Sequence, residues 1–494
     1  MTHPATDTAD LVQTLRTACP AARRLTADSR RADPESLFLA FPGQVHDGRH
    51  YIPAALAAGA AGVLWEAEGF DWSPDWPGFN LALPGLREAA AGLAAAWYGE
   101  PSRRLDMIGI TGTNGKTSIS HWLAQVLTEA DRPTASIGTL GNGLPGSLAP
   151  TGHTTPDAVS LQGLLAEYRD AGIRGVAMEV SSHALDQGRV AGTTFDVAVL
   201  TNLSRDHLDY HGDMESYAQA KARLFGWPGL KWAVLNCDDD FGRALRGKLK
   251  GTDVRVLSYG LHPGDKREID IHGRDLRLNA QGMTLTVATP WGSRTLHSSL
   301  LGEFNAYNLL AALAALLAGG MELDAAVSGL ERVRAVPGRM QALESVAGAP
   351  TVVIDYAHTP DALEQTLKAL RPLTAGRLLC VFGAGGGRDK GKRPLMGAAA
   401  AALADRCIVT SDNPRNEDPA HILADILAGM PPGQTSLVDR AEAIRLAVRE
   451  AAADDVVLIA GKGHEDYQEI NGMRLPFSDP AVAQAALRAR GATA

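Results

Sequence analysis

Hydrophobic and polar positions along this chain change rhythm several times. From Leu105 onward an apolar run, a glycine turn and a helical pattern recur, with strands expected at 105–110, 175–180, 196–200 and 231–235. Such alternation builds a mostly parallel sheet covered by helices. Over 252–300 the helical pattern drops out and short antiparallel strands are expected, 283–288 among them. Helices are expected at 305–318 and 323–334, and Pro337-Gly338 then breaks the chain. The alternation restarts beyond it, with strands at 351–354, 377–382, 406–410 and 456–460. Residues 1 to about 103 are mixed: a short strand at 36–40, an alanine-rich helix at 86–98 and a closing loop at 99–102. No period of about 20–50 residues repeats, which sets aside solenoids and propellers. The pattern divides the chain at 1–103, 104–337 and 338–494, which suits 494 residues at roughly 150 per domain.

Ligands of open parallel sheets bind beyond the carboxyl ends of the strands. The last four strands run into Asp355-Tyr-Ala-His358, Gly383-Ala-Gly-Gly-Gly-Arg388, Ser411-Asp-Asn-Pro-Arg415 and Gly461-Lys-Gly-His-Glu465. Four such polar loops predict one shared pocket. The sharpest signal lies earlier, in Ile108-Gly-Ile-Thr-Gly-Thr-Asn-Gly-Lys-Thr117. It follows an apolar strand and opens a helix with a buried stripe of Ile119, Trp122, Leu123, Val126 and Leu127, the setting a phosphate-binding loop requires. Backbone N–H groups and the helix N-terminus favour phosphate, Lys116 adds a full charge, and the Thr117 hydroxyl suits Mg²⁺. Ile110 stands where the usual motif has its first glycine. Glu179, at the end of strand 175–180, and His207, just past strand 196–200, are a carboxylate and an imidazole able to share a cation with Thr117, or to be ordinary surface or hydrogen-bonding groups.

Composition narrows the class. Hydrophobic residues at 45% and charged residues at 21% belong to an ordinary globular protein, and a net charge of −9 sets aside a general nucleic-acid binder. Cys19, Cys237, Cys380 and Cys407 form no Cys-x-x-Cys pair, which excludes the usual zinc spacings and a disulfide scaffold and fits a reducing compartment. The N-terminal run, with Asp7 and Asp10, lacks the basic-then-apolar order of a signal peptide. The most apolar stretch, 309–317, is far short of the ~20 residues that span a bilayer and reads as a buried helix. A cytoplasmic protein without membrane insertion is expected.

Gly112-Thr-Asn-Gly-Lys-Thr117, Met178-Glu-Val-Ser-Ser-His183, Asn202-Leu-Ser-Arg-Asp-His207 and Asp355-Tyr-Ala-His358 together resemble the Mur ligases of bacterial cell-wall synthesis. Gly385-Gly-Gly-Arg-Asp-Lys-Gly-Lys-Arg-Pro-Leu-Met396, Ser411-Asp-Asn-Pro-Arg415 and Gly461-Lys-Gly-His-Glu-Asp-Tyr467 are closest to the tripeptide-forming branch, and matches run from Asp28 to Tyr467 in family order. The resemblance implies an α/β enzyme of three domains: an N-terminal uridine-nucleotide domain, a central parallel-sheet P-loop ATPase domain and a C-terminal Rossmann-like domain that takes the amino acid. It implies a cytoplasmic monomer that uses ATP and Mg²⁺ to join an amino acid to UDP-MurNAc-L-Ala-D-Glu, for peptidoglycan. The glutamyl side-chain carboxylate attacks the γ-phosphate, and the incoming amine displaces phosphate from the acyl phosphate. Activation is needed because a carboxylate is a poor electrophile, and positioning with charge neutralisation carries such phosphoryl transfers.

The same resemblance assigns residues. Catalysis falls to Lys116, His207 and Lys221, the last matching a lysine that the family carbamylates, so that a cation becomes a carboxylate; on its own, a helical lysine reads as a solvated charge. ATP is implied at Gly112, Thr113, Asn114, Gly115, Lys116, Thr117, Ser118, Asn305, Arg339, Asp355 and His358, and metal at Thr117, Glu179, His207 and carbamylated Lys221. The UDP-muramoyl dipeptide is implied at Ala27, Ser29, Gln44, Val45 and His46, then at His153, Thr154, Thr155, Ser181, Gln187 and Arg189. Gln44-Val-His46 departs from the more usual His-Gln-Ala, and His153 stands where asparagine is common. Any of these groups can instead be a helix cap or a surface residue. The amino acid is implied at Arg388, Asp412, Asn413, Pro414, Arg415, Gly461 and Glu465. Arg415 matches the arginine of diaminopimelate-adding members and favours meso-diaminopimelate over L-ornithine or L-lysine; its plain alternative is a surface pair with Glu417 or Asp418. Rival readings are a folylpolyglutamate synthetase, against which the Asp-Asn-Pro-Arg and Gly-Lys-Gly-His-Glu loops speak, and a P-loop regulatory ATPase.

Overall fold

The computed structural model describes residues 8–43, 46–262, 269–279, 282–344, 346 and 348–491. Their contacts fall into two compact units: one made of residues up to Thr111, Leu127–Ala198 and Ala220–Trp232, the other of Gly112–Val126, Val199–Gln219 and the chain from Ala233.

In the first unit, apolar strands Arg24–Thr26, Ser36–Ala40, Gly62–Glu66 and Phe79–Leu83 pair in that order, all parallel. Leu37, Leu39 and Leu64 from one face pack on Leu86, Leu93 and Trp97 of the helix Leu86–Trp97. The strand Asp106–Thr111 pairs in parallel with Gly175–Glu179, and that strand with Thr134–Gly138. Two short antiparallel strands, Gly141–Leu144 and Ser147–Ala149, extend this run. Asp157 caps the helix Ala158–Asp170 by accepting from the Val159 and Ser160 amides, which fixes where the preceding polar loop ends.

In the second unit, Arg255–Gly260 pairs in parallel with Ile271–Asn279. Gly282–Thr289 and Gly292–Ser298 follow as antiparallel strands of eight and seven residues. The 252–300 stretch is therefore longer-stranded than its broken pattern implies, because only one face is apolar: Met283, Leu285, Val287 and Leu296 are buried. The apolar stretch 309–317 lies in the helix Glu303–Ala318, whose residues Asn308 to Leu317 are all buried. Among the described residues no helix is long and apolar enough to cross a membrane.

A six-stranded sheet follows, ordered Gln341–Ala342, Thr351–Asp355, Val456–Ala460, Leu378–Phe382, Arg406–Thr410 and Thr435–Leu437, parallel except for the first. Asp355 stands opposite Ala460, and Phe382 opposite Val409, so the four polar loops leave from one edge. Both faces of this sheet are apolar and covered: Val353, Cys380, Phe382 and Leu458 on one side, Ile354, Val381, Ile408 and Ile459 on the other.

Candidate functional site

The loop that opens the helix Lys116–Glu129 is built by close backbone approach. Gly112 has φ +144°, and a Cβ there would overlap the Thr201 hydroxyl; at Gly115, with φ +89°, it would overlap the Asn308 side-chain oxygen. The loop is tied down by Thr113 N–H to the Asn202 carbonyl at 2.9 Å, Asn114 N–H to Asn202 Oδ1 at 3.0 Å and Thr201 Oγ1 to the Asn114 carbonyl at 2.6 Å. Lys116 Nζ folds back over it, donating to the Gly112 and Thr113 carbonyls at 2.9 and 2.8 Å. Thr117 Oγ1 accepts from Arg339 Nη2 at 3.2 Å, and the Arg339 guanidinium lies 4.4 Å from the Tyr356 ring centre.

A cavity of about 390 Å³ opens beside this loop. Asn114, Gly115, Thr117, Ser118, Arg339, Asp355 and His358 line it; Gly112, Thr113 and Lys116 form the loop itself. Asn305 is not at its wall; its Oδ1 accepts from Asn308 Nδ2 at 3.1 Å, and Asn308 lines the cavity. The Asp355 carboxylate accepts from the Met340 and Ala357 amides at 2.7 and 2.8 Å, while burial pushes its pKa up. Burial lowers the pKa of the His358 imidazole to about 4, so the ring is neutral. With Nδ1 2.9 Å from the Tyr356 carbonyl, the proton belongs on Nδ1 and leaves Nε2 an acceptor.

Beyond His358 lies a charged group. Burial raises the Asp206 carboxyl, but His207, His358 and Lys392 overcome that and hold its pKa low. His207 Nε2 is 3.5 Å from Asp206 Oδ2, at a backbone φ of +54°. Lys392 is itself lowered by burial, against Asp206, Asp389 and Asp412.

The loops at 411–415 and 461–465 are equally tied. Asp412 and Asn413 are buried, and Gly461, at φ +118°, lies so close to the Asp412 carboxylate that a Cβ would overlap it. Asn413 Nδ2 donates to Glu465 Oε2 at 2.8 Å. Arg415 has φ +53° and is held by its backbone between Glu469 and Asn471; its Nη1 donates to the Gly386 carbonyl at 2.7 Å and its Nε is 3.5 Å from Glu469. The pairings weighed for it from sequence do not form. Glu417 is taken by Arg393 at 3.0 Å, which pulls its pKa down to about 2, and Asp418 caps the helix Pro419–Leu427. Arg388 is exposed on its glycine loop.

In the other unit, Thr154, Thr155, Ser181, Gln187 and Arg189 come together. Thr155 Oγ1 donates to the Glu179 carbonyl at 2.8 Å and lies 3.3 Å from Ser181 Oγ; Arg189 donates to the Thr155 carbonyl at 3.2 Å and to Gln187 at 2.8 Å. Thr154 Oγ1 is 3.1 Å from Thr139 Oγ1, and the Glu179 carboxylate, 1% exposed, accepts from Thr139 N–H at 2.8 Å. Ser181 also caps the helix Ser182–Asp186, so the cap reading holds for it. A cavity of about 530 Å³ is lined by Thr26, Asp28, Arg30, Arg31, Thr151 and His153 among others; Ala27 and Ser29 flank Asp28. Burial and then Arg189 lower the His153 pKa. His46 is exposed, and Gln44 and Val45 lie outside the described residues. Lys221, in the helix Met214–Ala222, is 1% exposed and so is no solvated surface lysine.

Two family descriptions match the chain: Mur ligase middle domain over 110–316, and Mur ligase, glutamate ligase domain over 338–463. The chain belongs to the Mur ligase family. It is 54% identical over 476 residues to the UDP-N-acetylmuramoyl-L-alanyl-D-glutamate–2,6-diaminopimelate ligase of Chromobacterium violaceum, covering 95% of each chain. It is 52% identical over 469 residues to the same-named enzyme of Pseudomonas aeruginosa, covering 94% of this chain and 95% of that one. A solved structure of a UDP-N-acetylmuramoyl-L-alanyl-D-glutamate–2,6-diaminopimelate ligase superposes with a TM-score of 0.66 at 39% identity, over 95% of both chains.

The Thr117 hydroxyl is an oxygen donor of the kind a hard cation such as Mg²⁺ takes, whereas the His207 imidazole is the softer donor and is already beside Asp206. Among the described residues no three of His, Cys, Asp and Glu converge as a metal cluster. Mg²⁺ commonly takes one or two carboxylates and completes its shell with phosphate and water. Asn308 and Asp238 are among the cavity residues that escaped the sequence reading. Asn308 was signalled by its place one turn after Asn305 on the same helix. Asp238 carried no signal, since only folding brings its Oδ2 to the Tyr307 hydroxyl at 2.8 Å and to the cavity wall.

Proposed function

We propose that this ligase adds meso-diaminopimelate to UDP-MurNAc-L-Ala-D-Glu through an acyl phosphate, at the expense of ATP, in peptidoglycan precursor synthesis. The observation that carries the choice of amino acid is Arg415. Its guanidinium, on the Gly386 carbonyl and beside Glu469, is not claimed by Glu417 or Asp418 and remains 28% exposed. Diaminopimelate ends in a second amino-acid head, so its site needs an extra cation and an extra acceptor; lysine and ornithine need only the acceptor. Arg415 and Arg388 would take the carboxylates, and Asp412, Asn413, Pro414, Gly461 and Glu465 would frame the distal ammonium.

ATP would lie in the 390 Å³ cavity, its phosphates on the amides of Gly112 to Ser118. Lys116 would leave its loop carbonyls for the phosphate oxygens, and Arg339 would add a second positive charge from above Thr117. Bound Mg²⁺ would neutralise phosphate charge; Thr117, Glu179, His207 and a carbamate on Lys221 would be its protein ligands. The burial of Lys221 supports the last assignment, because buried charges are paired or coordinate metals and a carbamate is an anion able to do so. The nucleotide-sugar dipeptide would be held by Ala27, Ser29, Gln44, Val45 and His46 at one end. His153, Thr154, Thr155, Ser181, Gln187 and Arg189 would hold the other. The domain division at 103/104 and 337/338 belongs to the same reading, supported by family matches that fall either side of Pro337. So do a cytoplasmic monomer and purely small-molecule partners, with four buried free cysteines suiting a reducing compartment.

The test is phosphate release with a panel of amino acids. Release should require both the UDP-muramoyl dipeptide and an amino acid, and hydrolysis indifferent to either would sink the ligase reading. Diaminopimelate should exceed lysine and ornithine by about 10⁴ in kcat/KM, as expected of a site whose polar groups a smaller ligand leaves unpaired. Arg415→Ala should narrow that gap. A preference of the unaltered enzyme for lysine or ornithine would remove diaminopimelate and leave the ligase.

A further inference from the structure

Lys462 is a buried cation for which the proposed chemistry has no use. It follows the strand Val456–Ala460 and Gly461, and its side chain has no exposure at all. Lysine is almost never buried unless it is paired, so its partners decide what it does. Nζ lies 2.9 Å from Glu465 Oε2, 3.0 Å from Asn413 Oδ1 and 3.9 Å from Asp412 Oδ1, with the Tyr467 ring centre 5.5 Å away. The ammonium thus donates to two oxygens and stands at ion-pair distance from a third, all on the loops assigned to the amino acid.

Two consequences follow from this bonding. Asn413 Oδ1 accepts from both Lys462 and the Glu469 N–H at 2.9 Å, so its orientation is fixed and its Nδ2 must point to Glu465. Glu465 Oε2 therefore takes two donors, Lys462 and Asn413, while among the described residues Oε1 takes none. The second concerns charge. Lys462 places its positive charge beside the two carboxylates, Asp412 and Glu465.

We propose that Lys462 is the positioning residue of the amino-acid pocket: it pins Glu465 through Oε2 so that Oε1 stands free for the distal ammonium of the incoming amino acid. Lys462 acts through Glu465 and touches no substrate itself. The inference rests on the assignment of Glu465 to the amino acid, whichever amino acid that is.

A double-mutant cycle on the full-length enzyme tests it, with KM measured separately for the amino acid, ATP and the UDP-muramoyl dipeptide in Lys462→Met, Glu465→Gln and the double variant. Lys462→Met should raise the amino-acid KM about tenfold or more, the scale of a hydrogen bond to a charged group, with the other two KM values within about twofold. The double variant should be no worse than Glu465→Gln alone, since the two changes remove one interaction. Multiplying effects, or a Lys462→Met enzyme whose three KM values rise together, would overturn the proposal. If Lys462→Met alone does not fold, the double variant, which removes both charges, is compared with Glu465→Gln. Equal amino-acid KM values support the proposal and a further rise overturns it. If Glu465→Gln leaves the amino-acid KM unmoved, the assignment of the pocket itself fails. If Glu465→Gln raises it and Lys462→Met does not, only the role of Lys462 fails.

Discussion

Lys116 shows what a single side chain contributes at the phosphate loop. Its ammonium rests on two loop carbonyls, an arrangement that must be exchanged for phosphate oxygens when nucleotide binds. Lys116→Ala should therefore leave the fold intact and remove the charge just where it is needed in the transition state, a loss of about 3–4 kcal/mol or more than a hundredfold in kcat. A folded variant with near-normal turnover would refute the role. Residues of this kind were legible from sequence because their chemistry is local: strand, glycine loop, lysine and helix follow one another without interruption. Asp238 and Asn308 were less so, since their place at the cavity wall is set by residues far away along the chain. Arg415 stands between. The motif named it, but only the structure removes Glu417 and Asp418 as its partners, by giving the first to Arg393 and the second to a helix N-terminus.

At the scale of elements, four strand ends must be held so that their loops share one edge. Arg440 does part of this from beneath. It opens the helix Arg440–Glu450, and its Nη1 and Nη2 donate to the carbonyls of Ser411 and Ala460 at 3.3 and 2.9 Å, one residue before Asp412 and Gly461. Asp479, in the first turn of the helix Asp479–Gly491, accepts from Arg440 at 2.7 and 2.6 Å, with neither side chain exposed. Replacing one partner of such a pair leaves the other charge buried and uncompensated, at about 3–5 kcal/mol. Asp479→Ala should cost that much in denaturant unfolding, and a change below about 1 kcal/mol would show that the clamp is not structural. The strand–helix alternation of this region was readable because parallel strands covered on both faces are continuous apolar runs. The pairing of Arg440 with Asp479, 39 residues apart, leaves no periodic trace. Nor did the broken pattern over 252–300 announce strands of seven to nine residues, since their exposed faces carry polar side chains.

For the whole molecule, buried neutral imidazoles set the response to acid. Burial lowers His358 and His464 to about 4, with Lys392 adding to the effect at His358 and Arg339 at His464; His121, His153 and His272 are also lowered, chiefly by burial. An unfolded chain takes up a proton at each near pH ~6.5, so between that value and about 4 the unfolded state binds more protons than the folded one. Stability therefore falls as the pH drops through this window. A folded pKa near 4 against ~6.5 unfolded costs about 2 kcal/mol per histidine at pH 5. The lowered carboxylates act later: Glu417, held at about 2 by Arg393, loses its contribution as the pH falls from the ordinary carboxylate range toward 2. His464→Gln separates the two, because glutamine cannot take up the proton. Its thermal midpoint should drop less than that of the unaltered protein between pH 7 and pH 5, with the two curves running parallel below about pH 4, where the imidazole is protonated in both states. Equal drops would mean that the loss at mild acid does not come from burying His464 neutral, and would move the cause to the carboxylates.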